Sequence, residues 1–151
     1  MDFKEIMEAF AADAGMTEPV AYEDEVCHLD INGRDYGFRT SPEADRLVVW
    51  TAISARPPES GEAYLAELLR ANFMNQGMPD GALSLSDGDV VYAHCSLRLP
   101  IFDKEEFYGL LRRFVTAVDE WRGILDQAEQ ARADMPQVRP EQPIDEGFLR
   151  V

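Results

Sequence analysis

The chain has few of the residues that carry most enzyme and metal chemistry. Only two cysteines, Cys27 and Cys95, and only two histidines occur among its 151 residues. Two cysteines are too few for a disulfide framework, so a reducing cytosolic compartment is the expected environment. With two histidines, a catalytic triad would have few bases to choose from.

Long hydrophobic runs and targeting segments are also missing from the sequence. No apolar run approaches the length that crosses a bilayer. The first five residues, Met1 to Glu5, lack a basic region followed by an apolar core, which argues against a secretory signal. We therefore expect a cytoplasmic protein that makes no contact with membranes.

Basic residues are scarce relative to acidic ones. The chain has 14 Lys and Arg against 29 Asp and Glu, and its formal net charge is -15. Such a charge repels phosphate groups, so it argues against nucleic acid and anionic membranes as partners. It favours basic or amphipathic partners, although the acidity could equally serve only to keep an association-prone protein dissolved.

The motifs of common catalytic sites are absent from the sequence. There is no phosphate-cradling loop, dinucleotide fingerprint, Gly-x-Ser-x-Gly elbow, zinc-protease histidine pair or calcium-binding loop. Cys27-His28 and His94-Cys95 offer four potential zinc ligands, but neighbouring residues of a strand point to opposite faces. A structural zinc site needs four ligands at one point. We therefore predict no metal, no cofactor and no enzymatic activity.

Three helices are predicted from apolar residues at helical spacing. Asp2 and Glu5 are spaced as a capping box at the start of the first helix. Ser60 is predicted to cap the second helix. The third helix has the strongest start signal in the chain, a capping box formed by Asp103 and Glu106.

Five strands are predicted between these helices. The first runs from about residue 20 to 31, and the pairs Asn32-Gly33 and Asp87-Gly88 predict two-residue hairpin turns. The strand over residues 47–53 is apolar on both faces, so we expect it to be central or to meet a partner with its second face. The fold class is therefore α+β, with the order α-β-β-β-α-β-β-α and an antiparallel sheet packed against helices.

The last part of the chain differs from the rest in composition. Residues 1–130 are predicted to form one domain and residues 131–151 a proline-rich tail, because its three prolines oppose regular structure. Phe148 and Leu149 near its end could dock on another surface, but a disordered tail is the simpler interpretation.

Several patterns in the second half of the chain occur together in one known family. Residues 68–73, Leu-Leu-Arg-Ala-Asn-Phe, resemble that family's second-helix ending, in which a Leu-Leu pair is followed by Asn. The strand with Leu83 and Leu85, the Asp87-Gly88 turn and the strand over 90–99 then follow in the family's order. The family's third helix has an apolar stripe that ends in an aromatic residue. The residues that resemble this pattern here are Pro100, Phe107, Leu111, Phe114, Val115 and Trp121. Together with small size and low pI, residues 1–130 resemble the class I type III secretion chaperones, the Tir-chaperone (CesT-like) family.

The resemblance implies a homodimeric, ATP-independent chaperone that binds the N-terminal segment of a secreted effector in extended form and keeps it competent for type III secretion. Components of the secretion apparatus are further candidate partners. The resemblance also implies a dimer interface made by Leu65, Leu68, Leu69, Phe73, Leu83 and Leu85. It implies an effector surface made by Phe3, Met7, Phe10, Tyr36, Phe38, Val48 and Trp50. Each of these residues could instead belong to the core.

Two other classes of function remain open. A YbjN-like regulatory or stress-response adaptor would share a similar helix–sheet arrangement without a role in secretion. A nucleic-acid mimic would use its acidity to block a DNA-binding protein, but it would need carboxylates along an elongated surface, whereas here they are scattered among amphipathic elements.

Overall fold

The computed structural model describes residues 1–41, 43, 45–101 and 103–134. Over these residues it has three helices and one six-stranded antiparallel sheet, so the predicted α+β class and order of elements are confirmed. In chain order the elements are α1 (Phe3–Asp13), β1 (Tyr22–Glu23), β2 (Val26–Ile31), β3 (Arg34–Ser41), β4 (Arg46–Ala55), α2 (Glu62–Ala71), β5 (Gly81–Leu85), β6 (Val90–Arg98) and α3 (Lys104–Ala133). The predicted tail begins inside α3, and Phe148 and Leu149 lie outside the described residues.

The start of α1 is stabilised as its sequence predicts. The Glu5 N–H donates to the Asp2 carboxylate at 3.0 Å, and the Asp2 N–H donates to the Glu5 carboxylate at 2.8 Å. This reciprocal pair satisfies two of the N–H groups that a helix start leaves without partners. The helix is followed by Gly15 with a φ of 73°, a left-handed conformation that glycine adopts without steric cost.

The first predicted strand is divided by a turn into β1 and β2. Asp24 and Glu25 form this turn with φ angles of 47° and 62°, and Tyr22 then pairs with Cys27. The alternation of apolar residues does not reveal this turn. Neither residue is a glycine, and positive φ is uncommon for other residues, so the sequence has no strong turn signal at this point. As a result, β1 pairs with only the first two residues of β2.

The caps of the other two helices differ from the prediction. The N-cap of α2 is Gly61, and the Ser60 hydroxyl instead accepts a hydrogen bond from Nε of Arg56 at 2.7 Å. Ser60 is therefore engaged in stabilising the loop before the helix. Asp103 does cap α3, but its carboxylate accepts from the N–H of Glu105 at 2.9 Å, one residue earlier than a capping box requires.

The hairpin between β5 and β6 has a four-residue loop, not the predicted two-residue turn. The Ser86 N–H donates to the Val90 carbonyl at 2.9 Å, and the Asp89 N–H donates to the Ser86 carbonyl at 3.0 Å. Asp89, and not Gly88, has the positive φ, at 55°. The Ser86 hydroxyl accepts from the Val90 N–H at 3.1 Å, and this side-chain contact favours the longer loop.

The sheet has the strand order β1-β2-β3-β4-β6-β5, so β4 lies between β3 and β6 as its apolar pattern predicted. One face of the sheet packs against residues of all three helices and forms the core. The sheet residues that this core buries are Cys27, Leu29, Tyr36, Phe38, Leu47, Val49, Ile53, Leu83, Val91, Ala93 and Cys95. Both cysteines thus lie in the core, and their neighbouring histidines point to the other face.

The opposite face of the sheet, called here the open sheet face, is only half-buried or exposed. It includes His28, Asp30, Asp35, Arg39, Arg46, Val48, Trp50, Ser84, Tyr92, His94 and Arg98. Trp50 lies directly across from Gly37 in the β3–β4 register, and its ring occupies the space where any larger residue at 37 would have a side chain. The indole is therefore held flat against the sheet.

Candidate functional site

A groove of about 380 Å³ lies between the end of α1, the β2–β3 turn and the middle of α3. We call it the α1–α3 groove; its apolar lining includes Phe10, Ile31, Tyr108, Leu111 and Val115. The Phe10 ring is half-buried and meets the Tyr108 ring edge-on, with the ring centres 5.6 Å apart. A concave site with an apolar floor is suited to bind apolar side chains.

One end of the α1–α3 groove is closed by a polar cluster that joins α1 to α3. The Asp13 carboxylate accepts hydrogen bonds from Nζ of Lys104 and from the hydroxyl of Tyr108, both at 2.9 Å. The hydrogen bond from Lys104 lowers the pKa of Asp13 below its ordinary value, because it favours the charged carboxylate. Burial, followed by the bond to Asp13, raises the pKa of Tyr108, so this hydroxyl remains a donor.

The other end of the groove carries a second contact between distant parts of the chain. Asp119 of α3 lies 3.5 Å from the guanidinium of Arg34, the first residue of β3. Arg112 also lines the groove and is exposed. Acidic and basic side chains therefore surround an apolar floor. This arrangement is suited to bind an amphipathic peptide.

The edge of the sheet next to the α1–α3 groove is incompletely covered. Because β1 pairs only with Val26 and Cys27, residues 28–31 of β2 have a strand on one side only among the described residues. Ile31 and Asn32, at the end of that edge, also line the groove. A sheet edge and an apolar groove are thus contiguous, and together they can bind both the backbone and the side chains of an extended polypeptide.

The residues implied as an effector surface are divided between the core and two separate surfaces. Phe3, Met7, Tyr36 and Phe38 are buried in the core. An apolar stripe has the same spacing whether it meets the protein's own core or a partner, so sequence alone could not separate these cases. Phe10 is accessible in the α1–α3 groove, whereas Val48 and Trp50 are accessible on the open sheet face.

The residues implied as a dimer interface are also divided. Leu68 and Leu83 are buried, and Leu65 and Leu85 are half-buried. Leu69, in the last turn of α2, is 71% exposed, and Phe73, in the 3-10 turn that follows the helix, is 62% exposed.

Met74 adds to the exposed apolar surface at the end of α2 and was not identified from the sequence. Its side chain is 77% exposed, and its φ of 49° is uncommon for a residue other than glycine. Leu69, Phe73 and Met74 form what we call the α2 patch. Clustered exposure of large apolar residues is typical of a surface that a partner covers. The only sequence signal for this exposed surface was a run of apolar residues at the end of a helix.

The cysteines and histidines of the described residues lie in different environments. Burial raises the pKa of the Cys27 thiol to about 11 and that of Cys95 to about 12, so both are neutral near pH 7. Nδ1 of His28 lies 2.8 Å from the Asp35 carboxylate on the surface. Among the described residues, no group of three or more His, Cys, Asp and Glu side chains could hold a metal ion. No helix in the same part of the chain is both long and apolar enough to span a bilayer.

The fold is shared with solved structures of low sequence identity. In the ExsC–ExsE complex, one chain is 16% identical, and the match covers 83% of this chain and 97% of that one with a TM-score of 0.68. The Yersinia pestis type III secretion chaperone SycH, solved in complex with a stable fragment of YscM2, is 16% identical, with 79% and 98% covered and a TM-score of 0.61. The putative transcription regulator YbjN from E. coli is 14% identical, with 85% and 92% covered and a TM-score of 0.52.

These likenesses define a helix–sheet protein with the fold of type III secretion chaperones. The model of the Tir chaperone protein (CesT) family matches residues 5–122, most of the chain. The chain therefore belongs to the Tir chaperone protein (CesT) family, which confirms the resemblance found in its sequence. No curated protein sequence matches it significantly.

Proposed function

We propose that this protein is a cytoplasmic chaperone for an effector of type III secretion. It acts as a homodimer and holds the N-terminal segment of the effector in extended form, without ATP, until secretion-apparatus components take it over. Membership of the Tir chaperone protein family supports this function. The structural observation that carries it is the α1–α3 groove lying beside the uncovered edge of β2.

The groove and the edge together suit an extended chain better than a folded partner. A strand added to an open edge satisfies its own backbone N–H and C=O groups and directs alternate side chains to one face. Those side chains can enter the apolar groove lined by Phe10, Ile31 and Val115. Binding of this kind rests on apolar burial and main-chain hydrogen bonds, so it requires no catalytic group and no nucleotide.

Charge favours an effector segment of basic or amphipathic character. The chain carries a net charge of -15, which accelerates encounter with basic partners and slows encounter with acidic ones. The same charge keeps a protein with exposed apolar surfaces soluble.

A homodimer accounts for the α2 patch. The side chains of Leu69, Phe73 and Met74 are together too exposed and too apolar to be favourable in water. A two-fold contact would place the same patch of each copy against the other, as isologous dimers do.

The effector proposal is tested by capture in the native host. The tagged full chain is expressed there, and captured proteins are identified by mass spectrometry. The wild-type chain should recover a protein that depends on type III secretion for export. Phe10→Asp, which places a charge in the α1–α3 groove, should reduce recovery at least tenfold, because a charge there would be desolvated by the bound segment.

Ile124→Asp is the matched control for Phe10→Asp, since Ile124 is an exposed apolar residue of α3 that lines neither the groove nor the α2 patch. This control should leave recovery unchanged, and circular dichroism should show both variants folded. Full recovery by a folded Phe10→Asp chain would contradict binding in the groove.

The dimer is tested separately by light scattering of the purified chain. The wild type should have twice the 17.0 kDa mass of one chain. Leu69→Asp combined with Phe73→Asp should give the single-chain mass, because two carboxylates of each copy would face two of the other across the two-fold axis. Ile124→Asp should remain dimeric, and a wild type that is monomeric at all concentrations would refute the homodimer.

A regulatory adaptor is the second candidate, favoured by the shared fold of YbjN. It predicts that capture recovers a cytoplasmic regulator and no exported protein, and that deletion of the gene changes transcription while leaving secretion intact. The higher TM-scores of the secretion chaperones favour the first candidate.

A further inference from the structure

The open sheet face carries a second groove of about 380 Å³, centred on Trp50. We call it the Trp50 groove; it is lined by Arg39, Val48, Trp50, Ser84, Tyr92 and His94. The Arg39 guanidinium lies 5.8 Å from the centre of the Trp50 ring, and the His28 ring meets the same indole edge-on at 5.8 Å. With Gly37 beneath it, the indole is a preformed flat surface bordered by positively charged and polar groups.

The charge of this groove is opposite to that of the chain as a whole. No carboxylate of the described residues lines it, although the chain has 29 acidic residues. Arg46 and Arg98 lie directly opposite each other on β4 and β6, where like charges repel, and Arg39 lies on the neighbouring strand. None of these three arginines forms an ion pair with a carboxylate of the described residues. Of the acidic residues on this face, Asp35 is engaged with His28, and the Asp30 carboxylate accepts a hydrogen bond from the Gly33 N–H.

Physical arguments limit what can occupy the Trp50 groove. A second copy placed face to face would bring the same arginines together, which like charges oppose. A separate acidic protein would first have to approach a chain of net charge -15. An acidic segment tethered to the same chain avoids that approach, because its effective concentration is set by the tether and not by diffusion.

The chain supplies such a segment beyond the described residues. Residues 141–151 read Glu-Gln-Pro-Ile-Asp-Glu-Gly-Phe-Leu-Arg-Val, which places acidic side chains next to an aromatic one. A tryptophan platform flanked by arginines is complementary to that combination, since carboxylates pair with guanidinium groups and aromatic rings pack on each other edge-on or offset.

The tether is long enough for this contact. The last turns of α3 lie beside the end of β4, because Ala128 and Arg132 line a small cavity with Ala55. From that end, the nine residue steps along β4 to its first residue span about 30 Å. The 14 residue steps from 134 to 148 can reach about 46 Å when extended, which leaves about 16 Å to pass around the sheet.

We propose that residues 145–149 dock in cis in the Trp50 groove. Asp145 and Glu146 pair with the arginines of the open sheet face, and Phe148 packs against Trp50. The chain thereby covers this second surface with its own C-terminal segment. This docking does not depend on the effector proposal, since the two grooves lie on opposite faces of the sheet and share no lining residue.

Nuclear magnetic resonance of the full chain tests the proposal, because its two tryptophans give two indole N–H signals. Phe148→Ala should lower the ratio of docked to undocked chain about tenfold or more, as expected for losing a buried phenyl group. The Trp50 signal should move accordingly while that of Trp121 stays in place. Arg39→Gln should lower the ratio about two- to fivefold, and Val151→Ala is the matched control outside the docking segment.

Two further measurements identify the occupant. Added salt should move the wild-type Trp50 signal toward its position in Phe148→Ala, because ion pairs at a surface are screened. A synthetic peptide of residues 141–151 at millimolar concentration should move the Phe148→Ala signal back. An identical Trp50 signal in wild type and Phe148→Ala would overturn the proposal. A signal that changes with protein concentration but not with Phe148→Ala would overturn it in favour of a second copy.

Discussion

Asn72 gives the sharpest test of how α2 is joined to the sheet. Its side-chain amide donates to the Leu83 carbonyl at 2.9 Å and accepts from the Leu83 N–H at 2.7 Å. The amide thus takes the place of a neighbouring strand at one residue of β5, the edge strand of the sheet. It also fixes the end of α2, where Asn72 lies between Leu69 and Phe73 of the α2 patch.

Asn72→Ala removes both hydrogen bonds and leaves two backbone groups of the buried Leu83 without protein partners. A buried polar group left unsatisfied costs about 1–3 kcal/mol. Water reaches part of this edge, so we expect the free energy of unfolding to fall by about 2 kcal/mol for the two groups together. For a chain of this length that corresponds to a Tm lower by about 4–8 °C.

Urea unfolding followed by circular dichroism measures this change, at one fixed protein concentration because a dimer links stability to concentration. Asn72→Asp keeps an acceptor for the Leu83 N–H but loses the donor, so it should destabilise as well. Gln76→Ala, an exposed position just beyond the same turn, is the control and should stay within about 0.5 kcal/mol of wild type. An Asn72→Ala chain as stable as Gln76→Ala would refute the reasoning.

Three further predictions concern the core, the groove and the open sheet face. Cys27 and Cys95, with pKa values raised to about 11 and 12, should react with iodoacetamide at pH 8 only after unfolding, and rapid labelling of the folded chain would contradict their burial. The Asp13–Lys104 pair stabilises the fold when the carboxylate is charged. Because the folded pKa of Asp13 is lowered, this contribution should be present above pH 3.8 and lost as the pH falls through the folded value. Asp13→Asn should therefore reduce thermal stability at pH 6, and the difference from wild type should shrink as the pH falls below 3.8. Gly37→Ala should destabilise the fold and shift tryptophan fluorescence, because the new Cβ would displace the Trp50 indole. Gly123→Ala is the control and should not destabilise the fold, because it lies at an exposed position of α3 with free space around it.

Much of the fold was predictable because its signals are local. The capping box of α1 depends on two residues three apart, and the Asn32-Gly33 turn requires two residues that accept positive φ; both are confirmed. The turn at Asp24 and the four-residue loop before β6 were missed, since acidic residues take up left-handed conformations without a strong sequence signal.

The candidate site was less predictable for a different reason. The α1–α3 groove joins residues as far apart as Phe10 and Val115, and no local pattern reports that they meet. Tyr36 and Leu69 both satisfy an apolar periodicity, yet the first is buried in the core and the second is largely exposed. Periodicity shows which side chains share a face, but not whether the protein itself covers that face.

By itself, the sequence determined the class of the fold, the order of its main elements, the acidic character and the family. These properties depend on neighbouring residues or on overall composition. Only the tertiary structure decided which apolar faces remain accessible, where the sheet edge is uncovered, and that three arginines converge on one face of an acidic chain. These features arise when strands and helices distant in sequence pack together, because burial and net local charge are properties of the assembled surface.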